Sequence, residues 1–146
     1  MRQSERGTAV VEFALAMPIF IFTLLVSFQL ALIITQYYGV RNIARDTARW
    51  LAINPDTDDA ALRSHALGLV TPTLDPAGFV SVTSAPSCPS LSGGHCMSRQ
   101  SGNIVTVTIQ YDVTSKLFLP TTFGWSGLTV RLPTRLPAYS VSEMIE

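Results

Sequence analysis

A single carboxylate stands at the start of a long uncharged stretch of the sequence. Glu12 is followed by 28 residues without a charge, Phe13 to Val40, and the nearest charge before it is Arg6. An ionisable group within a bilayer costs free energy, so its presence indicates a function. The alternative is that Glu12 lies in the headgroup zone as the last charge of a leader. The chemistry predicted for Glu12 is pairing with a cation.

Two cysteines form the second group with defined chemistry. Cys88 and Cys96 flank a loop rich in serine, glycine and proline. In an oxidising compartment this spacing favours a local disulfide, which would stabilise the head by about 2–3 kcal/mol on the chain-entropy estimate. Free thiols are one alternative. A metal site with His95 is the other, and it lacks a fourth ligand because His65 lies in a predicted helix.

Signatures of catalysis are absent from the sequence. It contains no glycine-rich phosphate loop, no Gly-x-Ser-x-Gly elbow and no His-Glu-x-x-His motif. Asp56, Asp58 and Asp59 cluster, but the later carboxylate of a calcium loop is missing, and a solvated helix N-terminus explains them better. The sequence predicts no enzyme, no cofactor and no metal.

Composition points to a membrane protein. The 146 residues are 47% hydrophobic and 14% charged, with a formal net charge of zero. A disordered chain would have fewer apolar residues and a larger net charge. A nucleic-acid-binding protein would carry a basic excess. Both classes are therefore disfavoured, and the length suits one domain with an appended segment.

The uncharged stretch predicts a membrane-spanning helix. Its 28 residues would extend about 42 Å as a helix, against roughly 30 Å of bilayer hydrocarbon, so Phe13 to Ile34 suffices to cross. A removable secretory signal fits less well, because its apolar part is only about 7–15 residues long and ends at a small-x-small site. A buried soluble helix is the other alternative, but the sequence offers no second helix of similar hydrophobicity to cover it.

The elements that position these groups follow from periodicity and turn residues. The first helix should continue to Asn54-Pro55, where proline disfavours helical geometry in its predecessor, and a second should cover Asp58 to Val70. Period-two alternation then predicts an antiparallel sheet of three to four strands and an α+β head. The predicted strands are Phe79–Thr83, Asn103–Val113, Leu128–Leu132 and Ala138–Met144, with Pro120, Gly124, Gly127 and Pro133 in the connections.

The N-terminal residues resemble a known processing signal. In Arg6-Gly7-Thr8-Ala9-Val10-Val11-Glu12-Phe13 a glycine precedes the glutamate by five residues, after a short leader with two arginines. This resembles the class III signal of type IV pilin-like proteins, which a prepilin peptidase cuts after the glycine. With Pro18 and the later Ala44-Arg45-Asp46-Thr47-Ala48-Arg49, it is similar to TadE-like pseudopilins of tight-adherence (Flp) pilus systems. Major Flp pilins resemble short helices with Glu-Tyr at this position. This chain has Glu12-Phe13 and a head, which favours a minor component of the pilus.

The resemblance implies roles for particular residues. The peptidase would cut between Gly7 and Thr8, and the new Thr8 amine would neutralise Glu12 of its own or a neighbouring subunit, with Phe13 in the same assembly motif. Buried pairs of this kind fix register better than they add net stability. The sequence also contains a ridge of small residues that would let membrane helices pack closely: Thr23, Ser27, Ala31, Thr35 and Gly39.

The resemblance also implies an organisation and a location. Residues 1–7 would be a leader, 8–54 the membrane helix with its soluble extension, and 55–146 the α+β head. The implied protein is a minor pilin (pseudopilin) that crosses the bacterial inner membrane once and enters an extracellular pilus. Its partners would be the prepilin peptidase, other pilins and pseudopilins, the inner-membrane assembly platform and membrane lipid, without nucleic acid. The alternatives are an anchored extracytoplasmic binding domain outside any pilus and an anchored enzyme of unrecognised type.

Charge alone favours the opposite orientation. Arg2 and Arg6 precede the apolar stretch, whereas Arg41, Arg45 and Arg49 follow it, so the positive-inside count would place the head in the cytoplasm. The peptidase resemblance and the cysteine pair favour a cytoplasmic N-terminus and a periplasmic head, and this is the orientation that we predict.

Overall fold

The computed structural model describes residues 3–118, 120–125, 128–131 and 134–145, with the backbone alone for 3–9, 116, 123–125, 128 and 130. The described chain forms an α+β fold, as the sequence predicts, with the helices before the strands. Its helices and strands are α1 (Gln3–Ile53), α2 (Asp59–Gly68), β1 (Phe79–Ala85), β2 (Ile104–Tyr111), β3 (Thr122–Trp125), β4 (Leu128–Arg131) and β5 (Tyr139–Met144).

The first helix is one continuous element of 51 residues, about 76 Å long at 1.5 Å per residue. Pro18 lies inside it and, having no N–H, cannot bond to the carbonyl of Ala14. The helix ends at Ile53, directly before Asn54-Pro55, which is where the proline predicts a break. The same helix therefore contains the uncharged stretch and the support for the head.

Three strands form an antiparallel sheet in the order β1-β2-β5. Alternate side chains of β2 are fully buried on the face toward α1: Val105, Val107, Ile109 and Tyr111. The outer face is rich in hydroxyl groups, with Thr106 2.7 Å from Ser142 and Thr108 2.9 Å from Ser140. The period-two alternation predicted from the sequence is thus the alternation between core and solvent.

The core lies between this sheet and the C-terminal half of α1. Ala44, Ala48 and Leu51 of α1 are fully buried together with Leu62 of α2. Small residues at positions 44 and 48 leave space for the sheet to pack closely on the helix. The head is therefore built on α1, and its core includes residues on both sides of position 54.

The second helix is positioned by a cap and by two contacts. Asp58 is its N-cap residue and accepts the N–H of Ala61 at 2.8 Å, which satisfies one of the free donors in the first turn. Leu62 and Ala66 are buried. The His65 ring stacks on Trp50 of α1, with centroids 4.1 Å apart and planes 9° apart. The helix is shorter than predicted, ending at Gly68 instead of Val70.

A second strand pair lies between β2 and β5 in the sequence. β3 and β4 are antiparallel, with Phe123 opposite Val130 and Trp125 opposite Leu128. The sequence predicted one strand here and placed Gly124 in a connection, which is wrong because Gly124 lies within β3. A glycine in a four-residue strand weakens the β signal. Residues 127, 132 and 133, which also belonged to the predicted strand and connections, lie outside the described residues.

Strand directions define two ends of the head. β5 runs alongside α1 in the same direction, since Tyr139 packs on Tyr37 with ring centroids 6.3 Å apart and Glu143 lies 3.8 Å from Arg49. The loop of residues 86–103 therefore lies near Ile53, at what we call the distal end. Residues 112–118, which follow β2, and residues 134–138, which precede β5, lie toward the N-terminal half of α1, at what we call the proximal end.

At the proximal end, the turn before β1 has no space for a side chain at Gly78. A Cβ there would lie 2.7 Å from the Tyr111 ring and 2.8 Å from the carbonyl oxygen of Asp112. The Tyr111 hydroxyl accepts the N–H of Asp75 at 2.8 Å, and burial raises the pKa of the Tyr111 phenol. Glycine at this position lets β1 begin directly against the buried tyrosine.

Candidate functional site

The N-terminal part of α1 is not covered by the head. Every residue from Val10 to Phe28 is exposed except Val26, which is half-buried, and these 19 residues correspond to about 28 Å of helix. That length matches the roughly 30 Å hydrocarbon thickness of a bilayer. We call Val10–Phe28 the uncovered segment. From Gln29 onward, one side of α1 is buried by the head, and it includes Gln29, Ile33 and Gln36.

Glu12 lies within the uncovered segment. Its side chain is exposed, and none of the described side chains pairs with it. The Gly7–Thr8 peptide bond lies in α1, while the side chains of residues 3–9 are outside the description. Phe13 is 64% exposed and lines a shallow apolar groove on the helix surface with Ala16, Met17 and Phe20. A carboxylate followed by apolar surface is the arrangement that the sequence predicts.

The small-residue ridge is exposed over most of its length. The hydroxyl groups of Thr23, Ser27 and Thr35 donate to carbonyl oxygens four residues earlier, at 2.8–2.9 Å. These polar groups are satisfied within the helix, so the ridge presents a small and largely apolar surface. Gly39 differs, because a Cβ there would lie 3.0 Å from Leu74 Cδ1 of the same chain. Whether the other four residues form a seam between helices stays a prediction.

The arginine stripe of α1 lies beside β5. The Arg41 guanidinium is above the Tyr139 ring, 5.6 Å from its centroid, and Arg49 Nε is 3.8 Å from Glu143 Oε1. Arg45 is exposed. Together with the buried alanines at 44 and 48, these contacts show that the Ala-Arg-x-x-Ala-Arg segment packs on the sheet through its alanines. Arg49 of this segment and Arg41 before it border β5.

At the distal end, Cys88 and Cys96 form a disulfide, which confirms the predicted pairing over the free-thiol and metal alternatives. Each half-cystine is also held by an aspartate, one from the α1–α2 connection and one from the start of α2. Asp59 Oδ2 accepts the N–H of Cys88 and Asp56 Oδ1 accepts that of Cys96, both at 3.0 Å. His95 Nδ1 lies 2.7 Å from Asp56 Oδ2. Hydrogen bonds from the N–H of Cys96, which has the larger effect, and from the His95 ring hold the pKa of the Asp56 carboxyl below its usual value.

A buried arginine joins this loop to the rest of the head. The side chain of Arg99 is fully buried and its Nη2 donates to Asp59 Oδ1 at 2.7 Å and to Ser84 Oγ at 2.6 Å. It also donates to the backbone carbonyls of Thr57 and Pro86. Sequence reasoning missed Arg99 and the roles of Asp56 and Asp59. The only available signal was an isolated arginine within an otherwise uncharged loop.

These features define a small α+β head carried on one N-terminal helix that is long and apolar enough to cross a membrane, consistent with a single-pass anchor. The chain carries the TadE-like segment, since the family model described as TadE-like protein matches residues 7–49. The match confirms the resemblance predicted from the glycine–glutamate motif and the arginine helix. The matched family is a structural family associated with Tad pili, and its model covers residues 7–49 of the chain.

The extent of the match identifies which part of the chain carries this relationship. It begins at Gly7, continues through the uncovered segment and ends at Arg49. The sheet, the distal disulfide loop and α2 all lie after it. No curated protein and no solved structure matches the chain. The matched segment therefore contains most of α1, and the rest of the head lies outside it.

Proposed function

We propose that this chain is a minor pilin (pseudopilin) that takes part in assembly of a tight-adherence pilus and is processed by a prepilin peptidase after Gly7. The observation that carries the proposal is the coincidence of the family match with the uncovered segment. The match starts at Gly7, and the surface that follows is a continuous apolar helix with one carboxylate, Glu12, near its start.

Processing would create a cation for Glu12, which none of the described side chains supplies. Cleavage after Gly7 makes the amine of Thr8 the new N-terminus, and Glu12 follows it by four residues. In a helix this spacing puts the two groups on the same side, about 6 Å apart along the axis. The amine can neutralise Glu12 of its own chain or that of a neighbour, so the pair can fix the axial register between adjacent helices.

The uncovered segment supplies the surface for lateral contact. Thr23 and Ser27 of this segment and Ala31 just after it are exposed, and the hydroxyl groups of Thr23 and Ser27 are satisfied within the helix. Small side chains with no unsatisfied polar group allow close approach of a second helix in lipid. The proposed partners are therefore other pilins and pseudopilins of the same system, with the peptidase and the inner-membrane assembly platform acting before and during assembly.

The N-terminus of the mature protein tests the processing step. Mass spectrometry of protein from the native membrane should find Thr8 as the first residue. A Gly7→Leu variant should retain its leader, because the peptidase requires a small residue before the cut, whereas Asp46→Asn, elsewhere on the same helix, should be processed normally. An intact Met1 terminus in the mature membrane pool would contradict the proposal and favour a simple anchored domain with a periplasmic head.

The role of Glu12 in assembly is tested separately. Glu12→Ala and Glu12→Gln should be cleaved and inserted normally, since each makes this end of the helix less polar. Assembly should fail, with fewer surface pili and weaker co-purification of companion pilins. The reason is that removing one partner of a partly buried charge pair costs about 3 kcal/mol of interaction free energy. Glu12→Asp should be intermediate and Asp46→Asn should resemble the parent. Normal piliation of Glu12→Ala would refute the charge-pair mechanism even if the chain is a pilin.

A further inference from the structure

Strand β5 forms one edge of the three-stranded sheet, and this edge is open among the described residues. The sheet order is β1-β2-β5, and no described strand or bridge pairs with the side of β5 that faces away from β2. Tyr139 and Val141 are only half-buried, whereas Ile109 and Val107, their partners on β2, are fully buried. The core face of the sheet is therefore less covered at β5 than at β2.

The register determines which backbone groups face the open edge. The N–H of Ile145 donates to the carbonyl oxygen of Asn103, on the β2 side. Backbone groups point to alternate sides along an antiparallel strand, so the N–H and C=O groups of Ser140, Ser142 and Met144 point away from β2. The edge of β5 therefore offers a row of backbone donors and acceptors to an added strand.

The two edges of the sheet differ in how they are protected. Proteins block exposed edge strands with bulges, proline, lysine or a covering element. The edge strand β1 has an irregular register between Phe79 and Ser81, and α2 packs against it. In contrast, β5 pairs regularly along its whole length, and its sequence, Tyr-Ser-Val-Ser-Glu-Met, contains neither proline nor lysine. The edge of β5 is therefore the one suited to pairing with another chain.

A row of cations lies beside this edge. Arg41, Arg45 and Arg49 recur every four residues on α1, and like charges at this spacing are unfavourable in a helix. Glu143 lies 3.8 Å from Arg49, and the Arg41 guanidinium is above the Tyr139 ring. Arg45 is exposed and belongs to none of the ion pairs of the described residues. The stripe therefore has more positive charge than the described head neutralises.

The arginine stripe and β5 run side by side over the same length. From Arg41 to Arg49 the helix rises about 12 Å, and the two residues of β5 that contact these arginines are about 13 Å apart along the strand. Because each end has a contact, Arg45 lies level with Val141. A strand added to β5 would extend the sheet on this side of α1. A carboxylate on its core face would then supply a counter-charge to Arg45.

We propose that the edge of β5 and Arg45 form a docking site for an extended acidic segment of a partner protein. The segment adds a strand to the sheet through backbone hydrogen bonds, which is a known mode of peptide recognition. Its acidic side chains are selected by charge complementarity with the arginine stripe. This inference depends neither on processing after Gly7 nor on pilus assembly.

Two other occupants fit this surface less well. Arg45 lies 17 residues beyond Phe28, about 25 Å along α1, whereas a headgroup layer is only about 5–8 Å thick. Lipid is therefore too far away when the uncovered segment spans the bilayer. The β5 strand of a second copy would bring one carboxylate, Glu143, which already pairs with Arg49.

A fluorescent peptide tests the site on the full chain in uncharged detergent micelles. The probe has the length of β5 and alternates threonine with glutamate, so that its hydroxyl groups continue the outer face and its carboxylates face α1. One control peptide has lysine in place of glutamate. The other keeps glutamate but has methyl groups on the backbone nitrogens that would donate to β5. In fluorescence anisotropy, each control should bind about ten-fold or more weakly than the probe.

Charge reversal at Arg45 tests the selection of acidic side chains. Arg45→Glu should weaken binding of the acidic peptide about ten-fold or more, because a charge-assisted hydrogen bond is replaced by repulsion. Arg45→Lys should retain part of the affinity, and salt should lower the affinity of the parent. The matched control is Arg63→Glu, which reverses an exposed charge on α2 and should bind like the parent. Equal affinities of Arg45→Glu and Arg63→Glu would contradict the proposal.

Amide exchange measured by NMR locates the bound peptide. The amides of Ser140, Ser142 and Met144 should exchange with solvent about ten-fold or more slowly when the acidic peptide is bound. The amides of Val141 and Glu143, which face β2 in the register, should not change. A peptide that does not bind at about 1 mM, or that binds without protecting the edge amides, would overturn the proposal.

Reconstitution in vesicles distinguishes the other occupants. Loss of peptide binding in phosphatidylglycerol vesicles but not in phosphatidylcholine vesicles would assign Arg45 to lipid headgroups. Protection of the amides of Ser140 and Ser142 at high chain density without peptide would assign the edge to a second copy. Either result would show that the proposal is wrong, and we expect neither.

Discussion

Replacing Arg99 with alanine would remove a guanidinium group that joins three parts of the head. It contacts the α1–α2 connection and the start of α2 through Thr57 and Asp59, the end of β1 through Ser84, and the start of the distal loop through Pro86. The disulfide would remain, so the variant isolates the polar contacts from the covalent link. We expect the head to fold with lower stability.

The magnitude follows from the groups left without a partner. Breaking a buried charge pair costs about 3–5 kcal/mol when the remaining charge stays buried. Here the Asp59 side chain is 30% exposed, so water can solvate it and the lower limit applies. The carbonyls of Thr57 and Pro86 each lose a charged donor, and an unsatisfied buried acceptor costs about 1–3 kcal/mol. Because truncation opens space for water, we expect a total of about 3 kcal/mol.

Urea unfolding of the full chain in detergent micelles measures this loss. Trp50 reports on the head because its ring stacks on His65 of α2, and a Trp125→Phe background removes the second signal. Arg63→Ala is the matched control, since Arg63 is exposed on α2 and its loss should change stability by less than about 0.5 kcal/mol. Arg99→Lys should recover only part of the stability, because an ammonium cannot reproduce the planar fork of donors. An Arg99→Ala loss under about 1 kcal/mol would refute this reasoning.

Three further predictions concern the head, each measured by the same urea unfolding. Gly78→Ala should lower stability by about 1–3 kcal/mol, because its Cβ would meet the rigid Tyr111 ring, whereas Gly68→Ala has free space and should be neutral or stabilising; equal effects would contradict the packing argument. Serine at both cysteines should cost about 2.5 kcal/mol by loop entropy, and an unchanged midpoint would refute it. The pKa of Asp56 is lowered in the folded head, so its ionised carboxyl adds stability that is complete above the unfolded pKa and is lost as pH falls through the folded pKa. The stability difference from Asp56→Asn should therefore shrink as pH falls below about 4.

Local patterns predicted the elements that depend on local rules. The alternation of β2 was clear because its inner face is fully buried, and proline ended α1 where its geometry requires. The second helix was predicted from its aspartates, and Asp58 is indeed the N-cap. In each case the deciding interaction lies within a few residues of the sequence signal.

The polar contacts of the distal end could not be predicted in the same way. Arg99 lies 40 residues from Asp59 and 42 from Thr57, and no periodicity links such positions. Asp56 and Asp59 were interpreted as a solvated first turn, which accounts for Asp58 but not for the amides of the two half-cystines. β3 was missed for a different reason, since Gly124 interrupts a very short strand and is typical of a turn. The polar contacts that could not be predicted join residues that are distant in the sequence and adjacent only in the folded head.

The continuity of α1 fixes the azimuth of the head relative to the membrane helix. Gln36 is buried under the head and Ser27 is exposed, and the nine residues between these positions turn the helix by about 900°, or half a revolution beyond two full turns. The exposed part of the small-residue ridge, from Thr23 to Thr35, therefore faces away from the head, whereas Gly39 packs against Leu74. Two chains that pair through the ridge would hold their heads on opposite outer sides of the pair. One residue inserted after Phe28 would rotate the head by about 100° about the axis of α1 and would separate Phe28 from Phe118, whose ring centroids lie 6.0 Å apart.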